Sequence, residues 1–90
     1  MVERSVVIQN KYGLHARPAA KFVEIASRFV SDVNIEKDGI EVNGKSIMGV
    51  LMLAAEKGSE LVLRTEGKDE QAMADALAEM LLGKLDEGIA

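Results

Sequence analysis

Ninety residues with a net charge of −4 and no cysteine read as one small domain, residues 1–90, without disulfides or thiolate metal sites. Apolar residues make up 48% of the chain and aromatic ones 3%, so the core is built from aliphatic side chains and Met. The acidic balance disfavours nucleic acid as a partner, one histidine cannot build a zinc site, and no apolar run suits a membrane span or a signal peptide, which leaves a soluble cytoplasmic protein as the expectation.

The elements follow in order. Residues 2–9 read as a strand with Val2, Val6 and Ile8 on one face and Arg4 the exception. Asn10 to Gly13 is a loop. A helix begins at Ala16, with Ala19, Phe22, Val23, Ala26, Phe29 and Val30 as its apolar stripe. Pro18 is tolerated in the first turn, where an N–H would lack a partner anyway. Asp32 to Lys37 alternates, with Val33 and Ile35 inward. Asp38-Gly39 predicts a two-residue hairpin turn that pairs Lys37 with Ile40 and Ile35 with Val42. Ser46 is a natural N-cap, worth roughly 1 kcal/mol, for a short helix through Leu53 that Gly58 stops. Glu60 to Glu66 alternates, with Leu61 and Leu63 inward. Asp69 is placed to cap a last helix whose stripe is Met73, Ala76, Leu77, Met80 and Leu81, and Gly83 suits its C′ position. Residues 84–90 read as a frayed tail. The order β-α-β-β-α-β-α packs most simply as an α+β fold of two layers, one four-stranded sheet with helices on one face. Periodicity does not fix the strand order.

Charge is segregated along the chain. None of the fifteen acids lies between Glu3 and Glu24 or between Glu41 and Glu56, yet five of the eleven bases do: Arg4, Lys11, Arg17, Lys21 and Lys45. If folding joins these windows, an acidic protein carries a positive face that suits phosphate and an acidic partner surface.

The chemistry concentrates in Gly13-Leu14-His15-Ala16-Arg17-Pro18-Ala19, which holds the only histidine and the only proline. A helix N-terminus offers unpaired N–H groups and the positive end of the dipole, and so favours an anion. A carrier needs a nucleophile that is neutral in the cytoplasm, and an imidazole side chain meets that need with a free ring nitrogen. His15 is therefore the candidate phosphoryl acceptor. The N–H groups of Ala16 and Arg17 and the Arg17 guanidinium would steady the phosphate, and Pro18 would fix the turn. As a lone residue, such a histidine is more often an inert cap. An acid–base enzyme would need a second catalytic group, and none is evident.

The histidine motif, with Lys45-Ser46-Ile47-Met48-Gly49-Val50 thirty residues on, resembles the HPr family, phosphocarriers of the bacterial phosphoenolpyruvate-dependent phosphotransferase system. The resemblance runs from the first strand to the last helix. It implies an open-faced β-sandwich with an antiparallel sheet in order 1-4-2-3 and three helices on one face. It implies phosphorylation of His15 on Nδ1 by enzyme I, and transfer onward to enzyme II A domains in sugar uptake. It calls for no cofactor, no metal, no nucleic acid and no membrane insertion, and for a monomer. It implies that Ser46 is a regulatory target of HPr kinase/phosphorylase. It also implies that Ala20, Ile47, Met48 and Leu51 form the docking patch, for which adaptable Met and aliphatic side chains are suited. Glu24 and Ser27 stand where some members carry lysines. Asn10-Lys11 and Val50 to Ala55 are similar to NPr, the relative in the nitrogen-related phosphotransferase chain. Two readings therefore stand beside sugar uptake: an NPr-type carrier, and a regulatory binding protein controlled through Ser46.

Overall fold

The computed structural model describes residues 1–11 and 13–83. Tyr12, within the first loop, and the tail read for residues 84–90 lie outside them. The elements are β1 (Val2–Val7), α1 (Ala16–Ala26), β2 (Asp32–Lys37), β3 (Ile40–Asn43), α2 (Ile47–Met52), β4 (Glu60–Glu66) and α3 (Glu70–Leu81). The four strands form one antiparallel sheet in the order β1-β4-β2-β3. This is the α+β open-faced sandwich and the 1-4-2-3 order that the resemblance implied.

Alternation decides the two faces of the sheet. Val6, Val33, Ile35, Leu61 and Leu63 point inward and are buried. They meet Phe22 and Ile25 of α1, Val50 of α2, and Met73, Leu77, Met80 and Leu81 of α3 in one core. Burying a side chain of this size stabilises by about 1.5–3 kcal/mol, so the core rather than helix propensity holds the short helices in place. Arg4, the polar residue on the inner face of β1, ion-pairs with Asp75 of α3. On the open face, Arg64 of β4 bridges its neighbours: Nε donates to Glu3 of β1 at 2.7 Å and Nη1 to Glu36 of β2 at 2.6 Å. These bonds push the guanidinium pKa up.

The hairpin forms as the turn chemistry predicts. Asp38 and Gly39 both take positive φ, 53° and 83°, and the pairs Lys37–Ile40 and Ile35–Val42 follow. Several boundaries differ from the sequence reading. The first strand ends at Val7 rather than Gln9, because Ile8 N–H turns to the Ser59 carbonyl and Gln9 N–H to that of Leu81. Helix α1 ends at Ala26, so Val30 leaves the stripe and is exposed, while Ile25 is buried in the core. Helix α2 ends at Met52, well before Gly58, because Ala54 itself adopts the left-handed conformation at φ 49°. Asp69 precedes α3, but its side chain does not cap it. The carboxylate instead accepts from the N–H groups of Val30 and Ser31 and from the Ser31 hydroxyl. These bonds, the hydroxyl first, hold its pKa below the ordinary value of 3.8. At the other end of α3, Gly83 takes φ 83° and returns its N–H to Met80, as a C′ glycine does.

Candidate functional site

His15 is the N-cap residue of α1. Its backbone is extended, φ −77° and ψ −173°, and its side chain makes no capping bond. The His15 carbonyl accepts from Ala19 N–H at 2.8 Å, the first bond of the helix. Helical geometry leaves the N–H groups of Ala16 and Arg17 without an intrahelical acceptor, and Pro18 has no N–H to offer. His15, Ala16 and Arg17 are exposed, and Pro18 is half-buried. No acidic side chain stands in the first turn of α1. Among the described residues Arg17 makes no ion pair or hydrogen bond, so its guanidinium is available to an incoming anion.

The histidine has a rigid seat. Gly13 takes φ 70°, and a Cβ there would lie 2.5 Å from the Ala55 carbonyl oxygen and 2.7 Å from the Glu56 Cα. Only glycine lets the chain run that close to the segment after α2. The approach is closed by a bond from Leu14 N–H to the Ala55 carbonyl at 2.9 Å. Leu14 and Ala19, on either side of the exposed motif, are buried. The imidazole therefore stands on a first turn that is anchored at both ends.

The Leu14–Ala55 bond also joins the two acid-free windows, and α1 lies against α2. Not every base expected there arrives as a free charge. Arg4 faces α3 and is engaged by Asp75. Lys21 lies 3.6 Å from Glu24. Lys45 donates to a backbone carbonyl, that of Phe29.

Ser46 is the N-cap of α2, with its Oγ accepting from Gly49 N–H at 3.1 Å. Of the four residues assigned to the docking patch, Ala20, Ile47 and Met48 are exposed and Leu51 is half-buried. Met48 is 67% exposed, and Met52, which the sequence reading passed over, is 75% exposed. The signal for Met52 was present in the shortness of the helix: six residues that bury only Val50 must show apolar side chains to solvent. A groove of about 560 Å³ between Asp38 and Ser59 includes none of the site residues. Among the described residues no group of three His, Asp or Glu could hold a metal, and no helix is long and apolar enough to cross a membrane.

His15 is exposed at the mouth of α1, and α2, which lies against α1, exposes Ile47, Met48 and Met52. Comparison with known proteins is specific. Residues 2–82 match the family described as the PTS HPr component phosphorylation site. The phosphocarrier protein HPr of Cupriavidus necator is 48% identical over 88 residues, which cover 98% of this chain and 99% of that protein. The crystal structure of HPr-C-His from Thermoanaerobacter tengcongensis superposes with a TM-score of 0.89 at 46% identity, over 93% of this chain and 94% of that one. The catabolite-repression protein Crh of Bacillus subtilis, solved as a dimer with a swapped domain, superposes with a TM-score of 0.76 at 49% identity, over 93% of this chain and 97% of that one. The chain belongs to the HPr family, the phosphocarrier proteins of the phosphotransferase system.

Proposed function

We propose that this chain is a cytoplasmic, monomeric phosphoryl carrier that accepts phosphate from phospho-enzyme I on His15 and delivers it to enzyme II A domains in sugar uptake. The observation that carries the reading is the free imidazole of His15 at the mouth of α1, beside the unengaged guanidinium of Arg17. In the transfer step the lone pair of Nδ1 forms the N–P bond as the bond from phosphorus to the donor breaks, and the donor keeps that electron pair. The step reverses toward the acceptor. The N–H groups of Ala16 and Arg17 contribute about 0.3–1 kcal/mol each through the helix dipole. The arginine contact contributes about 1.5–3 kcal/mol. Values this modest suit a carrier, because a deeply stabilised phosphohistidine would not be passed on. Ala20, Ile47, Met48 and Leu51 serve as the docking patch. The chain itself turns over no small molecule. Incubation with phosphoenolpyruvate and enzyme I tests the reading. Acid-labile phosphate is expected on the intact protein and none on His15→Ala. Phosphate on His15→Ala would refute the assignment.

Two further readings share this chemistry or its surface. An NPr-type carrier would pass phosphate to a different A domain, and competition between the two kinds of acceptor separates it from sugar uptake. Regulation by HPr kinase/phosphorylase at Ser46 is favoured by the position of that hydroxyl beside the patch. A phosphate there would add about −1.5 to −2 charge and repel phosphorylated donors. Mass spectrometry after kinase treatment, with Ser46→Ala as control, decides it. The Crh structure sets the alternative for assembly, and sedimentation distinguishes monomer from dimer.

A further inference from the structure

Lys45 sits in the loop between β3 and α2, beside the Ser46 cap, and is half-buried. Its Nζ donates to the carbonyl oxygen of Phe29 at 2.9 Å. Among the described residues no carboxylate ion-pairs with it. A lysine serving only as surface charge keeps its ammonium in water while the stem lies along the protein. This one gives up part of its hydration for a neutral acceptor, and the acceptor's place explains why.

Phe29 closes the turn that continues α1. The N–H groups of Ser27, Arg28 and Phe29 return to Val23, Ile25 and Ala26. The peptide unit that joins Phe29 to Val30 is then gripped at both ends. Its oxygen meets the Lys45 ammonium, and its N–H meets the Asp69 carboxylate at 3.0 Å. A cation at the oxygen and an anion at the N–H both align with the peptide dipole, so each contact polarises the group for the other. Three elements converge on one peptide: the end of α1, the loop that opens α2, and the start of α3. Helix α2 has six residues and buries only Val50. A helix so short does not hold its own place.

We propose that Lys45 is a positioning residue of the carrier: its ammonium straps the front of α2 to the end of α1, so that Ala20 on one helix and Ile47, Met48 and Leu51 on the other meet a partner as one surface. The inference rests on the docking reading above. It goes beyond it by naming what keeps the two helices in register.

Lys45→Met removes the donor and the charge but keeps a stem of similar length. If the docking-ready arrangement falls to between about a third and a tenth of the population, the KM for the carrier in phosphorylation by enzyme I rises about three- to tenfold. The kcat stays unchanged, because the seat of His15 is untouched. Lys45→Arg, which keeps both donor and charge, restores the KM. A loss of steering charge would also raise KM, but that loss is screened by salt. The rise is therefore measured again at high ionic strength, where the strap predicts that it persists. A KM that is unchanged in Lys45→Met, or a rise that salt abolishes, overturns the proposal. If the unaltered chain accepts no phosphate, the carrier reading fails, and the strap is judged by a second measurement. That measurement is the NMR coupling across the hydrogen bond from the Lys45 ammonium to the Phe29 carbonyl in the unaltered protein. The coupling is expected, and a freely exchanging, uncoupled ammonium would overturn the strap whether or not the variants fold.

Discussion

Gly13→Ala tests how the seat of His15 is built. The position carries two separate burdens: φ is 70°, and a Cβ would lie 2.5 Å from the Ala55 oxygen and 2.7 Å from the Glu56 Cα. The left-handed conformation costs a non-glycine residue about 1–2 kcal/mol. Forcing an atom into backbone that cannot yield adds about 1–3 kcal/mol. Gly39 supplies an internal control, because φ is 83° there but nothing lies within 4 Å of a Cβ. Gly39→Ala should show the conformational cost alone. Thermal and denaturant unfolding should therefore place Gly13→Ala about 2–5 kcal/mol below the unaltered protein, and about 1–3 kcal/mol below Gly39→Ala. For ninety residues the whole stability is roughly 5–13 kcal/mol, so the loss lowers Tm by at least about 8 °C. Phosphorylation of the folded fraction should also slow, because Leu14 must leave the Ala55 carbonyl or drag the first turn of α1 with it. Equal losses for the two variants would refute the reasoning. They would mean that the approach of residues 13 and 55 gives way freely and that the histidine has no rigid seat.

The clasp of Asp69 on Val30 and Ser31 predicts an acid-sensitive step. Because its folded pKa is depressed below 3.8, its contribution is present above that value and is lost as pH falls through the folded one. The difference in Tm between the unaltered protein and Asp69→Asn should be largest near neutrality and shrink toward pH 2, and a difference constant with pH would contradict the account. Glu70, held down by the Gly67 N–H and the N-terminal ammonium, titrates in the same direction and leaves some acid sensitivity in the variant. Met48→Glu places a charge on a side chain that is 67% exposed, so its stability should move by less than about 0.5 kcal/mol. Its KM with enzyme I should rise severalfold, and an unchanged KM would remove Met48 from the docking patch.

How much of this was legible in the sequence depends on the range of the determining interaction. The β2–β3 register was legible because Asp38 and Gly39 fix it within two residues. The inward faces of β4 and α3 were legible because alternation and helical spacing repeat over several residues. The order of the strands was not, since periodicity says which face a residue takes and never which strand lies beside it. The end of α2 was misplaced because a glycine is the usual stop, and here Ala54 accepts the left-handed turn itself. Asp69 looked like a cap because local sequence cannot show that Ser31, thirty-eight residues earlier, competes for its carboxylate. Lys45 reads in the sequence only as a surface charge for a related reason: its bond runs to the backbone carbonyl of Phe29, which has no side-chain signature at all.

The same distinction bears on how the site works. Everything that would meet the phosphate directly lies within three consecutive residues, His15, Ala16 and Arg17. What would make those residues a site comes from far along the chain: the Ala55 carbonyl behind Gly13 and Leu14, and the helix α2 alongside α1. A carrier must serve donor and acceptor alike, so the phosphoryl group has to be held by contacts that either partner can replace. Amides at a helix mouth and an exposed, unengaged guanidinium meet that condition, and a closed pocket would not. On the proposed docking, selectivity would fall to the exposed apolar side chains of α2, whose methionines can adapt to more than one partner. Changes at Met48 or Lys45 should accordingly alter KM for each partner to a different extent, whereas loss of His15 should end transfer with all of them.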